Sequence, residues 1–434
     1  MTIEKKAYRA AIVHSLGDPA QVAVDASYEY FEDGLMIVED GRITAVGNAA
    51  DLLGSLPREV EVLTYTDALI TAGFIDTHIH LPQTGMVGSY GEQLLDWLNT
   101  YVFPCEKQFA DPAHSAEVAD IFLKELLRNG TTTALVFGSR HKESVDALFS
   151  AAQKLNLRMI AGKVMMDRNA PDYLVDTAES SYLDSKALIE RWHGKGRLHY
   201  AVTPRFAPTS TPEQLTLAGQ LLTEYPGLYM QTHISENLKE VEWVKALFPE
   251  RKNYLDVYDH FNLLGERSVF AHGVHLCDQE CQRLAETGSA VAFCPTSNLF
   301  LGSGLFNLPM AERHKLNVGL GTDVGAGTSF SILQTLNEAY KVMQLQDARL
   351  SPFKSLYLAT LGGARALRMD DRIGNLQEGT EADFVVLDFN ATPLLSYRMK
   401  QATSIEEKLF VLMTLGDDRT VSETYSAGVR VHKR

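Results

Sequence analysis

The chain reads as an α/β protein built on a (β/α)8 TIM-like barrel with a smaller β domain beside it. Three observations carry that expectation. From residue 72 onward, apolar strand-like runs alternate with amphipathic helical stretches, and eight such runs precede residue 326. Near both chain ends the pattern changes to short strands and turn residues. The length, 434 residues, suits one large barrel plus an accessory domain.

The elements follow in order. Residues 8–14 alternate weakly, as a half-buried strand does. Residues 34–47 read as two strands joined at Asp40-Gly41, a dipeptide that suits a tight hairpin turn. The eight barrel strands are expected at 74–80, 131–138, 158–167, 198–207, 228–236, 268–276, 289–298 and 318–325. Helical patterns lie between them at 113–129, 212–224, 237–248, 278–287 and 330–346. Residues 374–388 turn and then run apolar, and 424–432 read as one final strand. The barrel is placed at 71–375, leaving 1–70 and 376–434 for the accessory part.

Composition narrows the function classes. Forty basic residues against 55 acidic ones give a formal charge of −15, which disfavours nucleic acid and anionic membrane as main partners. Solubility is the plainest reading of that charge. No apolar run reaches the roughly 18 residues of a membrane helix. The start, Met1-Thr2-Ile3-Glu4-Lys5-Lys6, lacks the apolar core of a secretory signal. The four cysteines include no Cys-x-x-Cys, so reduced thiols in a cytoplasmic protein are expected and a cysteine-rich zinc site is not.

The chemistry concentrates at strand ends. His78 and His80 close the first apolar run one residue apart, and alternate residues of a strand share a face. Two imidazoles on one face are either a hydrogen-bonded polar pair or half a metal site. The fifth run ends with His233 and then Glu236; the sixth carries His272, and the eighth carries Asp323 after a glycine-flanked apolar stretch, each towards the C-terminal end of its strand. Taken singly, each histidine is an ordinary structural residue, and Asp323 could cap a helix. Taken together they differ, because the C-terminal ends of barrel strands converge on one mouth. Three neutral imidazoles and a carboxylate suit zinc, or iron with similar ligands. The ligands expected are His78, His80, His233 and Asp323, with His272 beside the ion's water.

These motifs resemble the amidohydrolase superfamily and, within it, the guanine deaminase family. The resemblance rests on Gly73–His80, Leu95–Leu98, Phe103–Glu106, Asn129–Ala134, Thr203–Phe206, His233–Asn237, Cys294–Leu299, Leu320–Val324 and Leu415–Arg419. It covers nearly the whole chain, least well residues 1–30. Ala72 departs from the usual proline, which concerns a turn and not the chemistry. The resemblance implies that both chain ends pair into one small flanking β-sandwich domain. It also implies a purine base as substrate, bound by Gln83, Arg205 and Phe206 together with His80, His233, Glu236 and Asp323. Hydrolytic deamination is then expected, with Glu236, Asp323 and His272 as catalytic residues and a homodimer as the working form.

Some amidohydrolases bridge two metals with a lysine from the fourth barrel strand. The run 198–207 has no lysine, so one metal per chain is expected; Lys163, on the third run, reads as a barrel lysine paired with an acid. Two other readings stay open. One is the same site acting on 8-oxoguanine, another heterocycle or a triazine. The other, more remote, is an inactive scaffold on a barrel fold.

Overall fold

A computed structural model describes residues 5–90 and 94–434. Met1–Glu4 of the N-terminal stretch lie outside the described residues, as do residues 91–93.

The barrel is present with all eight strands parallel. They are Phe74–His80, Thr131–Phe137, Arg158–Gly162, Leu198–Pro204, Tyr229–Ile234, Ser268–His272, Ala290–Phe293 and Asn317–Leu320, paired in chain order. The ring closes through single contacts instead of a ladder. Asp323 N–H donates to the His78 carbonyl at 2.9 Å, and Thr77 Oγ1 donates to the Leu320 carbonyl at 3.0 Å.

Six strands end earlier than the residue pattern suggests, by two to five residues, and the third is broken after Gly162, with Val164–Met165 pairing separately. The reason is visible in the backbone. Ser235, His272 and Asp323 adopt left-handed conformations, with φ of 48°, 74° and 50°, and no ladder continues through such a residue.

The helices follow local signals. In Pro212–Glu224 the Thr211 side chain accepts from Gln214 N–H and proline occupies the first turn, where its missing N–H costs nothing. Leu215, Ala218 and Leu221, three residues apart, bury one face against the barrel core.

Both chain ends meet in one seven-stranded mixed sheet beside the barrel. Its order is Val429–Lys433, Val421–Ser426, Phe384–Asp388, Glu61–Ala72, Lys5–Ser15, Tyr28–Glu39 and Arg42–Asn48. Only Lys5–Ser15 and Glu61–Ala72 run parallel. The hairpin at Asp40-Gly41 forms as expected. The single final strand does not. Residues 424–432 span a second hairpin, turned at Ala427-Gly428, where φ is 46° and 75°. An alanine rarely takes that conformation, so the turn carried little signal. Within this sheet's core the rings of Phe384 and Tyr425 stack at 4.3 Å, with Tyr8 edge-on to Phe384 at 4.8 Å. Buried ion pairs tie the sheet to the barrel: Arg158 Nη2 lies 2.6 Å and Arg197 Nη2 2.7 Å from Glu381 Oε2.

Candidate active site at the barrel mouth

The first strand presents His78 and His80 inward from alternate positions, as the spacing requires. Asp323, held by its N–H on the His78 carbonyl, brings Oδ1 to 3.2 Å from His78 Nε2 and 3.3 Å from His80 Nε2. His233 on the fifth strand places Nε2 3.2 Å from His80 Nε2. His272 on the sixth stands behind, with Nε2 3.9 Å from Asp323 Oδ2 and 3.5 Å from Glu236 Oε2. The residues expected from four different strand ends are thus brought together.

The donor set fits a cation. His233 Nδ1 lies 2.6 Å from the Arg205 carbonyl and must carry its proton there, which leaves Nε2 as a bare lone pair aimed at His80. His78 Nε2 is buried and makes no hydrogen bond. Possible ligand atoms of His78, His80 and Asp323, and of His78, His233 and His272, lie within 4.8 Å of one another. Lone pairs crowded together in a buried site repel unless a positive charge sits among them.

Electrostatics keep the set in ligand form. Burial pushes His80 down to about 4 and His233 well below the usual histidine range, so both are neutral near pH 7. Burial alone would raise Asp323, but the imidazoles around it, His78 foremost, hold it well below the usual carboxylate range. Glu236 goes the other way. Burial, then the neighbouring carboxylates of Glu240 and Asp323, push it well above the usual range, towards the protonated form. Ser303 Oγ donates to its Oε1 at 3.0 Å and fixes its direction.

His272 differs from the other imidazoles in its tautomer. Asn298 Nδ2, which can only donate, lies 3.0 Å from His272 Nδ1. The ring proton therefore resides on Nε2, facing Asp323 and Glu236, where it can donate to an oxygen but cannot ligate.

A cavity with about 430 Å³ of open space rises above these groups. Gln83, Arg205 and Phe206 line it as expected, and Trp97, Leu301 and Ala326 add apolar wall. Gln83 sits against Gly325, where an added Cβ would lie 1.9 Å from its Oε1, so glycine makes room for the amide.

Several site residues went without a role in the sequence reading. Glu106 is buried and takes Arg205 Nη1 on both carboxylate oxygens, at 2.9 and 3.0 Å, while Gln83 hydrogen-bonds it too. An acid ending Phe103-Pro104-Cys105-Glu106 was visible, but its partner 99 residues away was not. Asp76 accepts from the N–H groups of His78 and Thr322, each at 3.1 Å, and so joins the first strand to the segment after the eighth. Glu240 accepts from the N–H groups of Glu236 and Asn237 and from Tyr254 Oη at 2.6 Å.

Lys163 is accounted for elsewhere. Its Nζ is buried, 2.6 Å from Asp176 Oδ2 and 3.1 Å from the Val164 carbonyl. The fourth strand holds no lysine, and Arg205 follows it.

Comparison with known proteins agrees with this geometry. The profile described as Amidohydrolase family matches residues 69–431. The chain belongs to the amidohydrolase family. Among amidohydrolases it is 55% identical over 423 residues to the guanine deaminase of Escherichia coli strain K12, covering 98% of this chain and 96% of that one. The solved E. coli guanine deaminase superposes with a TM-score of 0.95 at 53% identity, over 99% of each chain. The guanine deaminase of C. acetobutylicum, solved with guanine bound in its active site, superposes at 0.89 with 28% identity, over 99% of this chain and 100% of that one.

Proposed function

We infer that this chain is a hydrolytic guanine deaminase, replacing the exocyclic amino group of guanine with oxygen to give xanthine and ammonia. It is thus a hydrolase acting on the C–N bond of a cyclic amidine. One observation carries the reading: a buried Glu236, 3.5 Å from His272 Nε2, lines a single cavity together with the imidazole–carboxylate cluster, Gln83 and Arg205. The guanine deaminases matching almost the full chain support it.

His78, His80, His233 and Asp323 would hold one divalent cation, zinc or alternatively iron. Such an ion supplies Lewis acidity and lowers the pKa of a water towards about 7. Asp323 accepts the proton that the attacking water gives up. The Nε2–H of His272 donates to that oxygen and orients it towards the purine carbon bearing the amino group. Glu236 delivers its proton to the ring nitrogen beside that carbon; the proton held by Asp323 then passes to the amino group, which leaves as ammonia while the new hydroxyl returns its proton to Glu236 and becomes the carbonyl. A carboxyl raised by burial suits this task. Gln83 and Arg205 read the edge of the base, Gln83 with amide donor and acceptor and Arg205 by donating to the purine carbonyl. Phe206 packs beside the base.

The working form is a homodimer, on the strength of the family resemblance, and the free thiols favour the cytoplasm; sizing by light scattering checks the first part. Among the described residues no helix is long and apolar enough to cross a membrane.

The test is incubation with guanine, adenine, 8-oxoguanine, cytosine and an aminotriazine, following ammonia release and the purine product. Guanine yields xanthine far faster than the others react. Turnover of another base with guanine inert would overturn the assignment.

A further inference from the structure

At the end of the barrel opposite the mouth lies a second, basic cavity, with about 360 Å³ of open space. Arg158 and Tyr229 begin their strands, His199 stands second in its own, and Arg267 just precedes the sixth strand. Arg368 and Arg372, from the segment leading to the flanking sheet, complete the wall, with Asp371 as the acid among the lining residues.

The positive charge here is only partly answered. Glu381 takes Arg158 Nη2 at 2.6 Å, Asp371 lies 3.5 Å from Arg372 Nε, and Glu266 is 3.9 Å from Arg368. Glu381 is also shared with Arg197. Arg267 meets no carboxylate among the ion pairs found; it donates to the Gly227 carbonyl at 3.0 Å and lies over the Tyr229 ring at 5.0 Å. Arg158 is 2% exposed, yet its Nε has no hydrogen-bond partner, and neither has the buried Nδ1 of His199. Burial, followed by the charges of His193, Arg158, Arg267 and Arg372, pushes His199 down to about 4. In a chain of formal charge −15, such a concentration of guanidinium groups calls for an anion.

We propose that this cavity binds a phosphate-type oxyanion, either inorganic phosphate or the phosphate of a nucleotide, through Arg158, His199, Arg267 and Arg372. The anion would take the free N–H of Arg158 and clasp the third, fourth and sixth strands to the segment that enters the flanking sheet. It lies at the face of the barrel where stability is set, so its effect falls on the fold and not on the chemistry. The site stands independently of the deaminase reading.

The experiment uses the full chain in thermal unfolding and titration calorimetry, with phosphate or guanosine monophosphate added at ionic strength held constant by potassium chloride. Wild type shows a saturable rise in Tm and one site per chain. The double variant Arg267→Gln/Arg372→Gln loses at least tenfold in affinity and keeps its guanine turnover. Arg267 is half-buried and Arg372 exposed, so both changes are compatible with folding. Tighter binding of the nucleotide than of phosphate identifies the nucleotide as source; equal affinity identifies the free ion. A Tm no higher than in matched chloride, or a double variant that responds like wild type, would overturn the proposal.

Discussion

His233 gives its Nδ1 proton to the backbone carbonyl of Arg205, 2.6 Å away. One residue thereby serves both halves of the site: its main chain sets the tautomer of a metal-ligand candidate, and its side chain lines the cavity above. The two functions can be separated by mutation. Arg205→Lys keeps the backbone contact and a charge for Glu106 but loses the guanidinium fork. The expected outcome is a fall in kcat/KM of about 10²-fold, the scale of one charged hydrogen bond, with metal content unchanged. Steady-state kinetics beside metal analysis checks it; loss of metal would show that the side chain matters to the cation site.

Glu236→Gln removes the deliverable proton while preserving shape and the Ser303 contact. A kcat reduced by about 10²–10⁴-fold is expected, the usual contribution of a general acid, with KM little changed. Retained turnover would remove Glu236 from the proton path.

Asn298 is predicted to act on the reaction through His272. Because Asn298 Nδ2 faces His272 Nδ1, the proton sits on Nε2. Asn298→Asp offers an acceptor instead and draws the proton to Nδ1, so kcat falls by more than in Asn298→Ala. Nitrogen chemical shifts of labelled histidine report the tautomer directly. An Nε2–H signal in the Asp variant would contradict the positioning role.

Lys163 is predicted to serve the fold alone. Removing one partner of a buried pair costs about 3–5 kcal/mol, so Lys163→Ala should unfold at markedly lower denaturant concentration. Its metal content per folded chain should equal that of wild type. A halved content would make Lys163 a ligand of a second ion.

Much of this was legible in the chain because two periodicities survive in it. The first strand and the Pro212–Glu224 helix match their expected ranges at both ends, since Thr211-Pro212 announces a start and His-x-His fixes a face. The convergence of His78, His233, His272 and Asp323 followed once eight strands were counted. What local pattern could not carry was where strands stop and who partners whom. His272 ends its strand, and Asp323 stands just past the end of its own, in left-handed conformations that their residue types do not advertise. Glu106, Asn298 and Ser303 gain their meaning from partners 99, 26 and 67 residues away. The Ala427-Gly428 turn was hidden because alanine so seldom occupies one.

The most direct measurement is reconstitution. The protein is stripped with a chelator, dialysed, and titrated with zinc while xanthine formation from guanine is followed. Activity should be absent in the stripped protein and rise linearly to a plateau at one equivalent per chain. Full activity without metal, or a plateau only at two equivalents, would contradict a single cation held by His78, His80, His233 and Asp323.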